Sequence, residues 1–559
     1  MELTEQKKLN IELNNGLAVK AGAYNDKVKN LLADPLVSLL ARLHKELEIE
    51  RKSLLLQRQI NQREYNQGKV PEYLSRTTEA ATGNWKINPL PDDLKKRRVE
   101  ITGPVNSTKM VINMLSRNDD GKRADMAMLD FEDSMKPSWS NVIDGFYNLI
   151  GAAKGNLEFE QPATKTSPAK YYSLDPQDMP GVMVRCRGLH LDEDHIQVNG
   201  ESISAGVFDL AVSFYHSASL LIERGRTPKF YIPKCESYQE ARWWNRLFSM
   251  LEDALGYKTG TLRATFLIET LPAAYQIEEI LYEIRDHAAG LNVGRWDKIF
   301  SDIKVLRYHQ DRVMPDRGTI GMNKPWMDQY AKRLIKICHS RGALAIGGMS
   351  AFTPGKSAKL RKEQTAKVYA DKKNEHDIGH DGCWVSHPYF ITYALDCFTE
   401  NNQLDQLLPY QDKYPDLLPQ GGGYVTEAGL RTNIRVGIGY MQGWNRDIGC
   451  VAWDNLMEDL ATLEISRAQV WQWIFHKVIM KDGRTITREL VDHIFDEELE
   501  KILAEVDEAM RGASVEAVRA VKQEFKQARK EVGAIFLLED LPDFFHDALK
   551  EITITKKGA

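Results

Sequence analysis

The stretch RATFLIETLPAAYQIEEILYEIRDHAAGLNVGRWDKI, from Arg263 to Ile299, shows the alternation that decides the fold. A β-rich run, RATFLIET, is followed by the amphipathic segment AAYQIEEILYEIRDHAA and then by a second run, LNVGRWDKI. β-branched and aromatic residues favour the outer runs as strands, and apolar residues at helical spacing favour a helix between them. Strand, helix, strand is the signature of a parallel pair joined by a crossover.

The same alternation extends in both directions. Further runs are RVEITGP (98–104), MAMLDFED (126–133), GVMVRCRGL (181–189), KFYIPK (229–234), ALAIGGM (343–349) and CWVSHP (383–388), which with RATFLIET and LNVGRWDKI make eight. Segments such as SYQEARWWNRLFSMLEDAL lie between them. Eight strands alternating with helices predict an α/β fold closed as a TIM (β/α)8 barrel. A doubly wound open sheet is the alternative, but ITGPVNSTKM after the first strand is not a Gly-rich phosphate turn.

Outside the alternation the chain reads as helical. DPLVSLLARLHKELEIERKSLLLQRQINQ has helical apolar spacing, and GNWKINPLPDDLKKR supplies Pro and Gly punctuation after it. LLPQGGGYV marks a second connector, followed by helices at 425–444, 458–480, 488–512, 515–533 and about 540–550. The expected division is an N-terminal helical segment (1–95), the barrel (96–400), a linker (401–424) and an all-helical C-terminal domain (425–559).

Composition narrows the function classes. The 559 residues are 43% apolar and 27% charged, with a net charge of −5. That balance argues against general nucleic-acid binding and against an anionic membrane surface. No run approaches the roughly 18 uninterrupted apolar residues of a membrane span. MELTEQKKLNIELNN has no apolar signal core, and ITITKKGA is not a Ser-Lys-Leu address, so a cytoplasmic enzyme is expected. The six cysteines, at 186, 235, 338, 383, 397 and 450, include no CxxC pair and are expected to be reduced, mostly buried thiols.

Polar residues gather at the predicted strand ends, where a TIM barrel carries its chemistry. They are Asp130, Glu132 and Asp133; Arg185, Arg187 and His190; Lys234; Glu269; Gly294, Arg295, Trp296 and Asp297; and Ser386 and His387. Glu269 and Asp297 come from adjacent strands. Two carboxylates without His or Cys partners form a hard oxygen site suited to Mg²⁺, which binds through one or two carboxylates plus waters and substrate oxygens. An unpaired Arg185 at the same mouth implies an anionic or oxyanion-forming substrate. A metal that polarises a 2-oxo acid, an arginine that stabilises an enolate and a separate base would make enolate chemistry.

With those residues in place the chain resembles the malate synthases of the shorter A-type. RRVEITGPV, MLDFEDSMKPSWSNVIDG, RCRGLHL, IETLPA, GLNVGRWDKIFS, RGALAIGGM, HDGCWVSHP, LRTNIRVGIGY and MEDLATLEISRAQVWQW occur in that family's order, from about residue 72 to 480. The resemblance implies condensation of acetyl-CoA with glyoxylate and water to give malate and CoA, an acyltransferase reaction of the glyoxylate cycle that needs Mg²⁺. It implies that Glu269 and Asp297 bind the metal and that the backbone from Gly294 through Arg295 and Trp296 to Asp297 holds glyoxylate. Arg185 would be the catalytic arginine and Asp459 the base. Asp130, Glu132 and Asp133 would lie beside the metal, and Ser134 and Pro388 would border the acetyl-CoA channel. The family fold adds an N-terminal helical clasp and a C-terminal helical plug to the barrel. The first 70 residues carry no strong motif, and Cys383 stands where a small or polar residue is expected.

Glu458 and Asp459 precede a long apolar run, where negative charge also suits a helix N-terminus. The capping reading stays open for Glu458, and the chemical role is expected of Asp459. A CoA-ester lyase on the same barrel, or a scaffold with a dead barrel, are the competing readings. The oligomeric state is open, a monomer being compatible with the sequence.

Overall fold

The computed structural model describes residues 10–164, 167–406 and 412–558. The chain opens with two short strands, β1 (Asn10–Glu12) and β2 (Leu17–Lys20), and a long helix, α1 (Asp34–Asn66). Next come β3 (Val99–Pro104) and β4 (Met126–Asp130), a hairpin of β5 (Glu158–Gln161) and β6 (Lys170–Ser173), and β7 (Gly181–Arg185). After β8 (Asp192–Val198) and β9 (Glu201–Ser204) the sequence continues through β10 (Lys229–Ile232), β11 (Arg263–Ile268), β12 (Ala288–Val293), β13 (Leu344–Ser350) and β14 (Gly382–Val385).

Strands β3, β4, β7 and β10 to β14 close into an eight-stranded barrel. Every neighbouring pair in it is parallel. The expected TIM barrel is therefore present. Crossover helices include α2 (Trp139–Lys154), α3 (Ala205–Glu223) and α4 (Tyr238–Leu255), each started by a serine whose side chain accepts from a backbone N–H of the first turn. Among the described residues α3 alone is long and apolar enough to cross a membrane, and most of it is buried in the fold.

The sixth barrel strand differs from its expected span, 291–299. It runs from Ala288 to Val293, and the GRWD sequence instead opens helix α5 (Arg295–Val305). Small residues explain the early start: a Cβ on Gly290 would lie 2.3 Å from the Leu344 carbonyl oxygen of the adjacent strand.

The barrel interior has an apolar layer and a polar one. Met126, Met128, Met183, Tyr231, Leu267, Leu344, Ile346 and Trp384 pack together. Beside them the wholly buried Arg97 donates to Glu100, Thr265 and the Tyr231 hydroxyl, at 2.6, 2.9 and 2.8 Å. The Trp384 indole N–H donates to Glu100 at 3.0 Å. Each buried charge is thus met by a hydrogen-bonding partner.

The chain divides into two compact units, Met1–Ile60, Glu72–Gly294 and Ala331–Tyr414 in one, and Asn61–Pro71, Arg295–Tyr330 and Pro415–Ala559 in the other. This differs from three consecutive segments. Helix α5 and the start of α6 (Pro325–Arg341) group with the C-terminal helices because Ile299, Phe300 and Ile303 pack on Ile465, Ala468 and Trp471. The first unit also holds a sheet that the helical reading of residues 1–95 did not include. β2 pairs with β8, aligning Leu17 with Val198 and Val19 with Ile196, all buried.

The second unit is largely helical, as expected. After α7 (Ala358–Asp377), which belongs to the first unit, it includes α8 (Glu427–Asn445), α9 (Leu460–Phe475), α10 (Arg488–Ala509), α11 (Val515–Phe536) and α12 (Phe545–Gly558). One addition is a hairpin of β15 (Val451–Trp453) and β16 (Leu456–Glu458). Its two-residue turn, Asp454 and Asn455, has φ of 45° and 69°, the left-handed pair that matches strand twist in a tight hairpin. Part of the linker expected at 401–424, residues 407–411, lies outside the described residues.

Candidate active site

Two neighbouring strands set the first contact. Asp130 ends β4, Arg185 ends β7, and the two are register partners. Arg185 Nε donates to Asp130 Oδ1 at 2.7 Å and Nη2 to Oδ2 at 2.6 Å. The pair is buried, and the guanidinium carbon lies 5.6 Å from the Trp384 ring centre. The arginine expected to be unpaired is therefore gripped at two points, because β4 delivers a carboxylate to the matching register position. Burial alone would raise the Asp130 pKa, but Arg185 and the Ser134 hydroxyl bring it below the ordinary value. Burial likewise opposes the Arg185 charge, and Asp130 and Glu132 more than restore it.

The DFEDS segment folds around Asp130. The Glu132 and Ser134 N–H groups donate to it at 3.0 and 2.9 Å, and the Ser134 hydroxyl donates to Oδ2 at 2.5 Å. Glu132 and Asp133 then face Lys234, whose ammonium donates to both, at 2.6 and 2.7 Å. The Lys234 backbone N–H donates to Glu269 Oε1 at 2.8 Å. Four carboxylates, Asp130, Glu132, Asp133 and Glu269, thus meet two cations, Arg185 and Lys234. Burial, and then repulsion from Asp133, hold the Glu132 pKa well above its ordinary value despite Lys234 and Arg185. This surplus of negative charge suits a divalent cation.

The backbone at Gly294, one residue past β12, approaches Glu269 closely: a Cβ there would lie 2.5 Å from the Glu269 Cβ and 2.6 Å from its Oε2. Among the described residues no three Asp, Glu, His or Cys side chains converge as a ready-made metal cage. Mg²⁺ keeps several waters and needs only one or two protein carboxylates, so it does not require such a cage.

In the second unit, Asp297 is buried in the first turn of α5, with Arg295 and Trp296 before it. The opening N–H groups of a helix have no intrahelical acceptor and favour an anion. Arg295 lies over the Trp296 ring at 4.6 Å, and its Nη2 donates to the Ile320 carbonyl at 3.3 Å.

The capping role expected of Glu458 falls to Asp459. Asp459 is the N-cap of α9: its Oδ1 accepts from the Thr462 N–H at 3.3 Å, and its own N–H donates to the Thr462 hydroxyl at 3.0 Å. Glu458 instead ends β16, buried, and accepts from Arg317 Nη2 at 2.7 Å and Nη1 at 3.4 Å. The alternation of the hairpin turns Glu458 inward, which leaves the next residue to start the helix. Asp459 stays half-buried.

Family models match along most of the chain: malate synthase, N-terminal domain, at residues 17–79; malate synthase, TIM barrel domain, at 181–413; and malate synthase, C-terminal, at 424–544. Malate synthase A of Escherichia coli (strain K12) is 42% identical over 511 residues, 89% of this chain and 93% of that one. Malate synthase of Myxococcus xanthus (strain DK1622) is 41% identical over 520 residues, 92% of this chain and 94% of that one. The chain belongs to the malate synthase family. It is an acyltransferase on that ground.

Within a malate synthase the remaining sequence candidates fall out as follows. Ser134 gives its hydroxyl to Asp130, and Pro388 opens a short turn whose carbonyl accepts from Asn118 at 3.1 Å. Arg187, singled out beside Arg185, sits instead in a buried triad with Asp209 and Glu193, at 2.7 and 2.9 Å. His387 caps the Pro388 turn through Nδ1, and Cys383 is wholly buried with its thiol pKa pushed up by burial. Lys234 was visible at a strand end but had no assigned role. Arg317 carried no sequence signal, because its partner Glu458 is 141 residues away.

Proposed function

We propose that this chain condenses acetyl-CoA with glyoxylate and water, giving malate and CoA, in the cytoplasm and with Mg²⁺ as cofactor. Glu269 and Asp297 are the residues that would hold the metal. When bound, it would draw electron density from the glyoxylate aldehyde. The N–H groups from Gly294 to Asp297 would take the glyoxylate carboxylate at the start of α5. Ser134 and Pro388 are proposed to border acetyl-CoA.

Asp459 is the proposed base. A thioester methyl is far less acidic than a carboxylic acid, so the proton moves only if charge on the thioester oxygen is stabilised as it develops. Arg185 would supply that stabilisation. The observation that carries this reading is the two-point Asp130 grip, which fixes the guanidinium plane before substrate arrives. A preset donor needs no reorganisation as charge develops.

Thiol release on mixing acetyl-CoA, glyoxylate and Mg²⁺ tests the activity. CoA is expected only when all three are present. A CoA-ester lyase would instead cleave malyl-CoA without free thiol, and that result would replace the synthase reading.

A further inference from the structure

Lys234 stands two residues past β10 with φ of 52°, in the left-handed region that side chains rarely occupy. All of its polar groups are engaged. The ammonium bridges Glu132 and Asp133, and the N–H donates to Glu269 Oε1. The carbonyl accepts from Nη2 of Arg58 at 2.8 Å. Arg58 lies on the N-terminal helix α1 and is itself gripped by Glu240, Nε to Oε1 at 2.6 Å and Nη2 to Oε2 at 2.7 Å.

A second arginine on α1 makes the same kind of contact. Arg51 precedes Arg58 by seven residues, about two turns, and so shares its face. Its Nε donates to the Leu189 carbonyl at 3.3 Å, in the loop after β7, while Asp192 and Glu48 pair with its guanidinium. β7 and β10 are neighbours in the barrel. One helix therefore places a guanidinium, that of Arg51 buried and that of Arg58 half-buried, on a backbone carbonyl beyond each of two adjacent strands, those leading to Arg185 and Lys234. Apolar packing alone would hold a helix down, whereas these arginines are aimed at particular peptides.

We infer that Arg58 and Lys234 are positioning residues for the Glu269 carboxylate. Arg58 fixes the left-handed peptide at Lys234, and the N–H of that residue fixes the rotation of the carboxylate that meets the divalent cation. This gives the otherwise motif-poor N-terminal helix a task in the site. The inference rests on Glu269 being a metal ligand, as proposed above.

Binding of Mn²⁺ to the full-length protein without substrates, read by electron paramagnetic resonance, tests it. The variants are Arg58→Met, Arg58→Lys and Glu240→Gln, with Glu269→Gln as reference. Residues that orient metal ligands commonly set affinity by 10- to 100-fold. Arg58→Met and Glu240→Gln are expected to weaken Mn²⁺ binding by about tenfold with unchanged far-ultraviolet circular dichroism. Arg58→Lys is expected to fall between them and wild type, since an ammonium lacks the two-point grip on Glu240. If Arg58→Met does not fold, the other two decide. Variants that lose thermal stability but bind Mn²⁺ within about twofold of wild type would overturn the inference and reduce Arg58 to an anchor for α1. Glu269→Gln with wild-type Mn²⁺ affinity would overturn the ligand assignment itself.

Discussion

Arg185 and Asp130 end adjacent parallel strands at matching register positions and meet through two nitrogen–oxygen contacts, at 2.7 and 2.6 Å. The geometry of β4 and β7 thus decides the plane of the guanidinium. Asp130→Asn keeps the shape but removes the charge and one acceptor. The expected outcome is a fall in kcat of about 10² to 10³, the range for losing one preorganised donor, with a smaller change in the KM for acetyl-CoA. Steady-state kinetics with thiol detection would check it. Arg185→Lys is expected to fall as far, because an ammonium cannot match two oxygens in one plane.

Gly294 is expected to tolerate no side chain. The added Cβ of Gly294→Ala would lie 2.5 Å from the Glu269 Cβ and 2.6 Å from its Oε2. Glu269 must then move, so Mg²⁺ affinity is expected to weaken by at least tenfold, as for other changes that misorient a metal ligand. Activity measured against Mg²⁺ concentration gives the shift.

The Arg317–Glu458 pair should matter for stability and for turnover together. Glu458→Gln leaves the buried Arg317 without a counter-charge, a change that costs about 3–5 kcal/mol in buried pairs. Because Asp459 is the next residue, kcat should fall as well. Urea unfolding and kinetics on the same preparation separate the two effects.

Acid sensitivity follows from Glu193. Burial works against its charge, but Arg187 and His195 bring its pKa from 4.5 down to about 2. The unfolded chain binds the proton more readily between those values, so the contribution is complete above pH 4.5 and lost as pH falls toward 2. Its size is roughly 3 kcal/mol. Glu193→Gln should lower the melting temperature at pH 7 and flatten its dependence on pH below 5.

The barrel was legible in the sequence because each strand is a short apolar run between helices, and local pattern carries that information. The misplaced sixth strand shows the limit: GRWDKI has strand-like composition, yet Gly294 ends the strand and the next residues wind into α5. The strands at 10–20 were missed because β2, which carries β1 beside it, pairs with β8, far along the chain. Site residues were visible as types at strand ends. Their pairings were not, since Asp130 to Arg185, Lys234 to Glu132 and Arg317 to Glu458 depend on register and packing.

Asp459 is the hardest residue to read, because its capping role alone would account for an acid there. Asp459→Asn separates the two roles, since Asn caps as well as Asp but cannot take a proton. Thiol release by this variant, measured beside its melting temperature, is the most direct test of the proposed chemistry. The expected result is an unchanged melting temperature with turnover reduced by more than about 10³-fold. Turnover within about tenfold of wild type, a barrier change of only ~1.4 kcal/mol, would contradict it and leave Asp459 as a helix cap.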